Sequence, residues 1–258
     1  MKRALIAIGY TLGLPVILVL IWWAASVLAP SFFVPTPGEL VVTFVETWFG
    51  PRLWVDVLPS ILRFGIGVLI AIVLGIVLGI IIGLNRDLRA LTEPAFEFFR
   101  AMPPPVLMPV LLLLFGPTDA MRIGIIVLAA IWPVLLNTIE GVRAADPLQN
   151  ETSRSYGIEG FARVRYQVLP SAAPQILAGV RQCLPIGLIL MVISEMFATT
   201  SGIGFSIIEF QRTFAIPEMW SGIVVLGLIG YIVAAIFRFF ERRLLRWYHG
   251  LKDIENAA

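Results

Sequence analysis

Few residues in this sequence could carry out chemistry by themselves. The chain of 258 residues holds one histidine, His249, and one cysteine, Cys183. An internal disulfide needs two cysteines, and a histidine-rich metal site needs several histidines. Glu195 is the one acidic residue well inside an apolar stretch. The apolar stretches therefore do not supply the nucleophile and base, or the several metal ligands, that catalysis within them would need. We therefore expect no catalytic residue and no metal site, and an intramembrane enzyme is the least favoured class.

Two further absences narrow the function. No Gly-x-x-x-x-Gly-Lys-[Ser/Thr] phosphate loop occurs in the sequence, so we expect the chain itself to bind neither ATP nor another cofactor. The formal charge is only +2, which gives no reason to expect nucleic acid as a partner.

One polar segment stands out between the apolar stretches. It runs from Glu140 to Pro174, about 35 residues, whereas passive connections are about 4–6 residues long. Gly157 offers a position without a side chain, where the chain can turn or a partner can approach. Leu169-Pro170 is expected to end a helix and redirect the chain. Composition alone leaves two interpretations open: docking by another protein, or a basic amphipathic helix on a lipid surface.

The elements that hold this segment are apolar helices. The chain is 59% hydrophobic and 14% charged, against roughly 25% charged in soluble domains, and a bilayer-spanning helix needs about 20 apolar residues. We expect an all-α membrane protein with six transmembrane helices, of which the third is extended backwards through Phe96, Phe98 and Phe99. The predicted apolar cores are Ala4–Ala29, Phe64–Leu84, Pro104–Phe115, Met121–Ile139, Ile176–Ala198 and Gly222–Phe240.

Loop charges predict the orientation. With the N-terminus in the cytoplasm, the inner segments hold 15 of the 19 lysines and arginines and the outer segments hold 4, which follows the positive-inside rule. Both termini are then cytoplasmic. Pro103-Pro104-Pro105 makes the third span either a helix entering at an angle or two short helices that meet. In the outer loop, Glu39 to Trp48 is expected to form a short amphipathic helix capped by the preceding Pro-Thr-Pro-Gly turn.

Several residues inside the spans have two interpretations. Met108, Trp132 and Met191 are candidates for the translocation pathway, although ordinary core packing is favoured for each. Glu195 either faces that pathway or is a helix-end carboxylate bonded to the turn at Ser201–Gly204, and the second is favoured.

Two patterns concern helix surfaces. Gly75, Gly79 and Gly83 recur every four residues, and small residues at this spacing favour close packing within the chain, with a dimer seam as the alternative. Arg181 is expected to reach the membrane interface rather than a solute.

The polar segment resembles the cytoplasmic signature of binding-protein-dependent ABC importer permeases. That signature is Glu-Ala-Ala, three residues, Gly, nine residues, then Ile-x-Leu-Pro. The matching positions are Glu151, Gly157, Leu169 and Pro170. The departures are Thr152 and Ser153 in place of the alanines and Gln167 in place of the isoleucine. The resemblance implies that a surface including Glu151, Arg154, Ser155, Tyr156, Gly157, Leu169 and Pro170 docks an ATPase.

The resemblance extends over most of the chain and is closest to the nitrate, sulfonate and taurine branch. The further matching segments are Phe33-Val34-Pro35-Thr36-Pro37, Arg100-Ala101-Met102-Pro103-Pro104, Leu114-Phe115-Gly116 and Ser201-Gly202-Ile203-Gly204. It implies a type I permease fold, with residues 1–60 forming the first helix and outer loop, 61–242 the permease core and 243–258 a cytoplasmic tail.

The same resemblance implies function and partners. The chain would be the permease subunit of an importer in a prokaryotic inner membrane, working by alternating access on a sulfonate, taurine, nitrate or similar anion. Its partners would be a second permease copy, two ATPase subunits that bind ATP and Mg²⁺, and an extracytoplasmic solute-binding protein. The same machinery importing a heterocyclic nutrient is the alternative, and a secondary transporter is less favoured because no internal repeat is visible.

Overall fold

The computed structural model describes residues 2–145, 147–197 and 199–248, and its description omits the side chains of residues 2–12, Pro147 and Arg154. The fold is helical, as expected. The first helices are α1 Lys2–Leu28, α2 Pro37–Trp48, α3 Leu58–Leu84, α4 Arg86–Ala101, α5 Met108–Phe115 and α6 Asp119–Arg143. The later ones are α7 Pro147–Ser155, α8 Gly160–Arg163, α9 Leu169–Met196, α10 Ile203–Arg212 and α11 Ile216–Leu244.

Four stretches of the described chain are long and apolar enough to cross a membrane. They are Leu53–Leu84, Asp119–Arg143, Gly160–Met196 and Ile216–Leu244. The described apolar part of α1, Gly13–Leu28, is shorter than these four.

The predicted third span is a bent pair of helices. Arg86–Ala101 and Pro104–Phe115 meet at an angle of 91° and would form a fifth span only as a broken one. Of the two geometries expected from the sequence, the structure shows two helices that meet at the prolines. Three consecutive prolines remove three backbone donors and disfavour helical backbone before each ring, so the helix cannot continue through them.

The chain divides into two compact units. The first comprises residues 1–59 and 200–228, and the second comprises residues 60–199 and 229–258. In the second unit α6 packs extensively against α9. The largest buried side chains there include Met121, Ile125, Ile126 and Met191.

A stripe of glycines on α3 lies against α6 in the second unit. A Cβ placed on Gly79 would lie 2.5 Å from the Thr138 Cβ atom. A Cβ on Gly75 or Gly83 would lie 2.8 or 2.9 Å from the Cβ atom of a valine on the adjacent turns of α6. The absence of side chains on α3 therefore lets the two backbones approach closely. This is the packing within the chain that the sequence favours over a dimer seam.

In the first unit, both ends of α2 form side-chain hydrogen bonds. Thr36 caps this helix by accepting a hydrogen bond from the Glu39 backbone N–H at 3.2 Å, in the turn predicted to cap it. At its other end the Trp48 indole N–H donates to Ser221 Oγ at 2.8 Å. Buried Asp56 accepts a hydrogen bond from the Gly202 backbone N–H at 3.0 Å.

A π-helical turn precedes α3, and another precedes α9. The turns cover Leu53–Val57 and Val164–Val168. Each is followed by the same residues in the sequence, because Val-Leu-Pro-Ser occupies both 57–60 and 168–171. The wider π turn gives the proline ring room that a regular α-helical turn would deny it.

Candidate functional site

The polar segment at 140–174 contains α7, which ends in a glycine-type cap. Gly157 has a φ of +68°, in the left-handed region that glycine adopts without steric cost. The Ile158 N–H donates to the Ser153 carbonyl at 2.9 Å, which is the bond that defines a Schellman cap with Gly157 at its left-handed position. A Cβ on Gly157 would meet no atom within 4 Å. The residue is therefore required for the turn, and it is also open on its outer side.

Exposed aromatic side chains surround this cap. More than two thirds of the surface of Tyr156, Phe161 and Tyr166 is exposed, and Leu148 on α7 is exposed to a similar extent. We call these four residues the inner apolar surface. Glu151 and Ser155 are also exposed on α7, whereas the Arg154 side chain lies outside the described residues. Exposed aromatic residues in such number are consistent with the predicted docking surface, which stays a prediction.

A small polar cluster ties α7 to the helix that follows it. The Gln167 amide donates to Asn150 Oδ1 at 2.6 Å, and the Arg163 guanidinium donates to the same oxygen at 3.0 Å. Gln167 is buried. The residue that departs from the isoleucine of the signature therefore has a hydrogen-bonded partner on α7, a contact that the sequence analysis did not anticipate.

The expectation that Leu169-Pro170 ends a helix is wrong. Helical structure runs from Gly160 to Met196 over 37 residues and passes through the π turn at Val164–Val168. Pro170 lies in the first turn of α9. Its missing N–H breaks no regular i→i−4 bond, because the preceding Leu169 N–H already bonds Val164 in the wider pattern. The inner segment is thus joined to the fifth predicted span without a break.

A buried ion cluster lies near the other end of α9. Glu195 is completely buried, and its two carboxylate oxygens accept hydrogen bonds from Ser60 Oγ at 2.7 and 2.8 Å. Arg63 bridges two carboxylates, donating from Nη1 to Glu195 at 2.9 Å and from Nε to Asp119 at 2.8 Å. Arg122 also pairs with Asp119. The cluster joins the starts of α3 and α6 to the end of α9.

The cluster gives Glu195 partners that the sequence analysis did not name. Ser60 and Arg63 of α3 both donate to its carboxylate, and a bond to the turn at Ser201–Gly204 stays a prediction. The missed signal was Arg63, a second charged residue at the beginning of another apolar run. Two opposite charges in the apolar runs of one chain favour pairing, because each is costly alone.

The other candidate pathway residues lie in packed surroundings. Trp132 stacks on Phe99 with ring centroids 6.2 Å apart, and it contacts Phe96 edge-on. Met191 is buried on α9, and Met108 lines an apolar cavity of about 210 Å³ together with Met121. These contacts are those of core packing, and a role along the solute path stays a prediction.

Arg181 differs in detail from its expectation. Its guanidinium is well exposed, as an interfacial residue should be, but it forms an ion pair with Glu241 near the end of α11. The interaction therefore connects α9 and α11 within the second unit.

The helical fold and the polar segment are consistent with a transport component of the inner membrane. The chain belongs to the family of binding-protein-dependent transport system inner membrane components, whose sequence profile matches residues 71–246. The resemblance to ABC importer permeases that the signature indicates is thereby confirmed.

Individual relatives are similar to this protein over nearly the whole chain. A Bacillus subtilis protein named as an aliphatic sulfonates transport permease is 29% identical over 236 residues, covering 91% of this chain and 86% of its own length. The taurine transport system permease protein of Escherichia coli is 28% identical over 246 residues, covering 92% and 89%. Among solved structures, an inward-facing MetNI methionine ABC transporter matches with a TM-score of 0.62 at 17% identity, covering 75% of this chain and 98% of that one. This likeness shows a shared fold.

Proposed function

We propose that this chain is the permease subunit of an ATP-driven importer, and that α7 with the inner apolar surface is where an ATPase subunit docks. The observation that carries the proposal is the continuity of the helix from Gly160 to Met196. A partner that moves the inner segment moves the start of the same helix that leads into α9. A segment lying passively on lipid would need no such connection.

The contacts support a specific transmission of movement. The cluster of Asn150, Arg163 and Gln167 fixes α7 to the base of this helix. At the far end, Glu195 binds Ser60 and Arg63 of α3. Because α9 is held at both ends, we expect α3, α6 and α9 to move together when the ATPase subunits close. In our proposal closure opens the path to a docked solute-binding protein, and ATP hydrolysis reverses the movement.

The proposed assembly contains two permease copies, two ATPase subunits that bind ATP and Mg²⁺, and one solute-binding protein. The proposed topology has six spans with both termini in the cytoplasm. These spans are α1, the stretch Leu53–Leu84, the bent pair of α4 with Pro104–Phe115, α6, α9 and α11. The positive-inside charge distribution supports this orientation.

We propose a small organic sulfonate as the solute class. The similarity to permeases named for aliphatic sulfonates and for taurine supports this choice. A sulfonate carries a fixed negative charge, and Glu195 would repel it if exposed along the path. In the structure that carboxylate is buried and paired with Arg63, which removes the objection.

The test is ATP hydrolysis by the reconstituted assembly in liposomes. We expect binding protein loaded with taurine or an alkyl sulfonate to stimulate hydrolysis and uptake, and binding protein loaded with a heterocyclic nutrient to have no effect. The chain purified without ATPase subunits should show no hydrolysis. Hydrolysis by the chain alone, or assembly with ATPase subunits that no loaded binding protein stimulates, would contradict the proposed role.

A further inference from the structure

A cavity lies between α9 and α11 in the second unit. Its volume is about 630 Å³, within the about 300–1,000 Å³ that is typical of ligand sites. Apolar side chains form most of its wall, among them Leu184, Leu188, Val233 and Phe237. Such a wall suits a hydrocarbon chain and offers little to a small polar solute.

Charged residues occupy one end of the cavity. Arg181, Arg238, Glu241 and Arg242 line it. Arg181 and Glu241 form an ion pair, so their charges cancel. Arg238 donates to the Ala234 carbonyl of its own helix at 3.2 Å. In the part of the chain that the structure describes, Arg238 and Arg242 form no ion pair with an acidic residue. Among the described residues, the charged end therefore carries two positive charges without an acidic partner.

An apolar chamber with an uncompensated positive end fits an amphipathic anion. Guanidinium groups bind phosphate oxygens through paired hydrogen bonds. Arg238 and Arg242 lie in the last turns of α11, which is the cytoplasmic end in the proposed topology. Lipid phosphates of the inner leaflet lie at that depth, and basic pockets between helices on this side bind anionic headgroups.

We propose that this cavity is a binding site for an anionic phospholipid of the inner leaflet. One acyl chain lies along the apolar wall of α9 and α11, and the phosphate lies against Arg238 and Arg242. The site shares α9 with the proposed coupling path, so lipid occupancy would influence how readily α9 moves relative to α11. The placement at the inner leaflet rests on the proposed topology, whereas the amphipathic character of the cavity does not.

The experiment measures lipid retention by the full chain in mild detergent, using native mass spectrometry with added phosphatidylglycerol or phosphatidylcholine. We expect a clear preference for phosphatidylglycerol. Replacing both arginines (Arg238→Gln with Arg242→Gln) should weaken it about tenfold or more. The control pair Arg86→Gln with Arg89→Gln removes the same charge at the start of α4, away from this cavity, and should keep the preference.

A second pair of variants tests the chamber itself. Ala234→Trp fills the cavity wall and should reduce retention of phosphatidylglycerol with all arginines intact. Ile232→Trp places the same side chain at an exposed position of α11 outside the cavity and should have no effect. Equal binding of both lipids would overturn the lipid site. So would unchanged retention of phosphatidylglycerol by the double arginine variant or by Ala234→Trp.

The third part of the experiment uses an alkyl sulfonate, because it is an amphipathic anion like the phospholipid. Tight binding of octanesulfonate that excludes phosphatidylglycerol would overturn the lipid assignment and make the cavity a solute site. These measurements need no ATPase. Failed transport with retained lipid preference would therefore refute the proposed function alone, and the reverse result would refute the lipid site alone.

Discussion

At the scale of single residues, Gly157 combines a left-handed backbone with open space around its missing side chain. We expect Gly157→Trp to permit insertion and dimerisation but to abolish stimulation of ATP hydrolysis by the loaded binding protein. Backbone strain costs about 1–3 kcal/mol, which a packed bundle tolerates, whereas a bulky group would hold the ATPase away from α7. The measurement is stimulated hydrolysis by the reconstituted complex.

Two variants separate strain from bulk. Gly157→Asn introduces a residue that tolerates the left-handed conformation. This variant should retain most of the stimulation of ATP hydrolysis by the loaded binding protein. Gly116→Trp introduces a bulky side chain at another open position with a φ of +64° and should leave coupling intact. If Gly157→Trp supports normal stimulated hydrolysis, the inner segment is not where the ATPase couples.

The ion pair of Glu195 with Arg63 gives a second prediction at this scale. Removing one partner of a buried pair typically costs about 3–5 kcal/mol, because the other charge stays buried without compensation. Glu195→Gln should therefore lower the thermal unfolding midpoint markedly. The double variant Arg63→Leu with Glu195→Leu should be less destabilised than Glu195→Leu alone.

The exposed pair of Glu140 and Arg143 provides the control. Both side chains are about half exposed, so Glu140→Gln should change stability by less than about 1 kcal/mol. Equal midpoints for the Glu195 and Glu140 variants would show that the buried cluster contributes no more than a surface pair.

Single positions differ in how far the sequence alone predicts them. Gly157 was recognisable as a place where the chain can turn, because glycine has no side chain. The partners of Glu195 could not be recognised from the sequence, since Ser60 and Arg63 lie 135 and 132 positions away along the chain. Residue spacing predicts only which side chains share a face of one helix. Which side chains meet between two helices depends on how each helix is rotated about its axis.

At the scale of elements, the glycine stripe of α3 determines its distance from α6. Gly79→Leu should disrupt this contact and lower both expression and thermal stability, because Thr138 already lies where a Cβ would go. Gly65→Leu places the same residue on the same helix where no atom lies within 4 Å, and it should be tolerated. Thermal unfolding of the purified chain measures both, and equal stability of the two variants would contradict the packing role.

The polar cluster on α7 makes a second prediction for an element. Gln167→Ile restores the residue of the family signature but removes the donor to Asn150. We expect faster backbone hydrogen exchange in α7, because its attachment to the following helix is weakened. Gln211→Ile changes an exposed residue of α10 and should leave exchange in α7 unchanged. Unaltered protection of α7 in Gln167→Ile would show that the cluster does not hold it.

The elements show where sequence reasoning succeeds and where it fails. Long apolar runs predicted α3, α6, α9 and α11 well, because hydropathy is a property of the run itself. Leu169-Pro170 was misread as a helix end, since proline usually breaks the i→i−4 pattern. The repeated Val-Leu-Pro-Ser at 57–60 and 168–171 was the available signal that both prolines follow the same kind of turn.

At the scale of the whole molecule, the six-span topology predicts opposite sides for two exposed residues. With Cys183 replaced by alanine, a cysteine introduced at Ser155 should react with an impermeant thiol reagent only after the membrane is opened. A cysteine at Thr118, between α5 and α6, should react in intact cells. Both positions are exposed, so accessibility within the protein does not distinguish them. Labelling of Ser155→Cys from outside would invert the orientation.

This topology rests on charge counting, because orientation depends on the sum of many loop charges. The division into two compact units, with residues 200–228 grouped with the first 59, could not be predicted in the same way. Both units contain apolar helices, and composition does not say which of these pack together.

The buried cluster has a consequence for the electrical energy of transport. Arg63 and Arg122 carry two positive charges, and Asp119 and Glu195 carry two negative ones, so the group as a whole is neutral. The electrical work of moving one elementary charge through the full membrane potential is about 2.3 kcal/mol per 100 mV. A neutral group that moves as one body does almost no electrical work, so its displacement is insensitive to voltage. Glu195→Gln would leave one net positive charge, and any movement of the cluster along the membrane normal would then depend on the membrane potential.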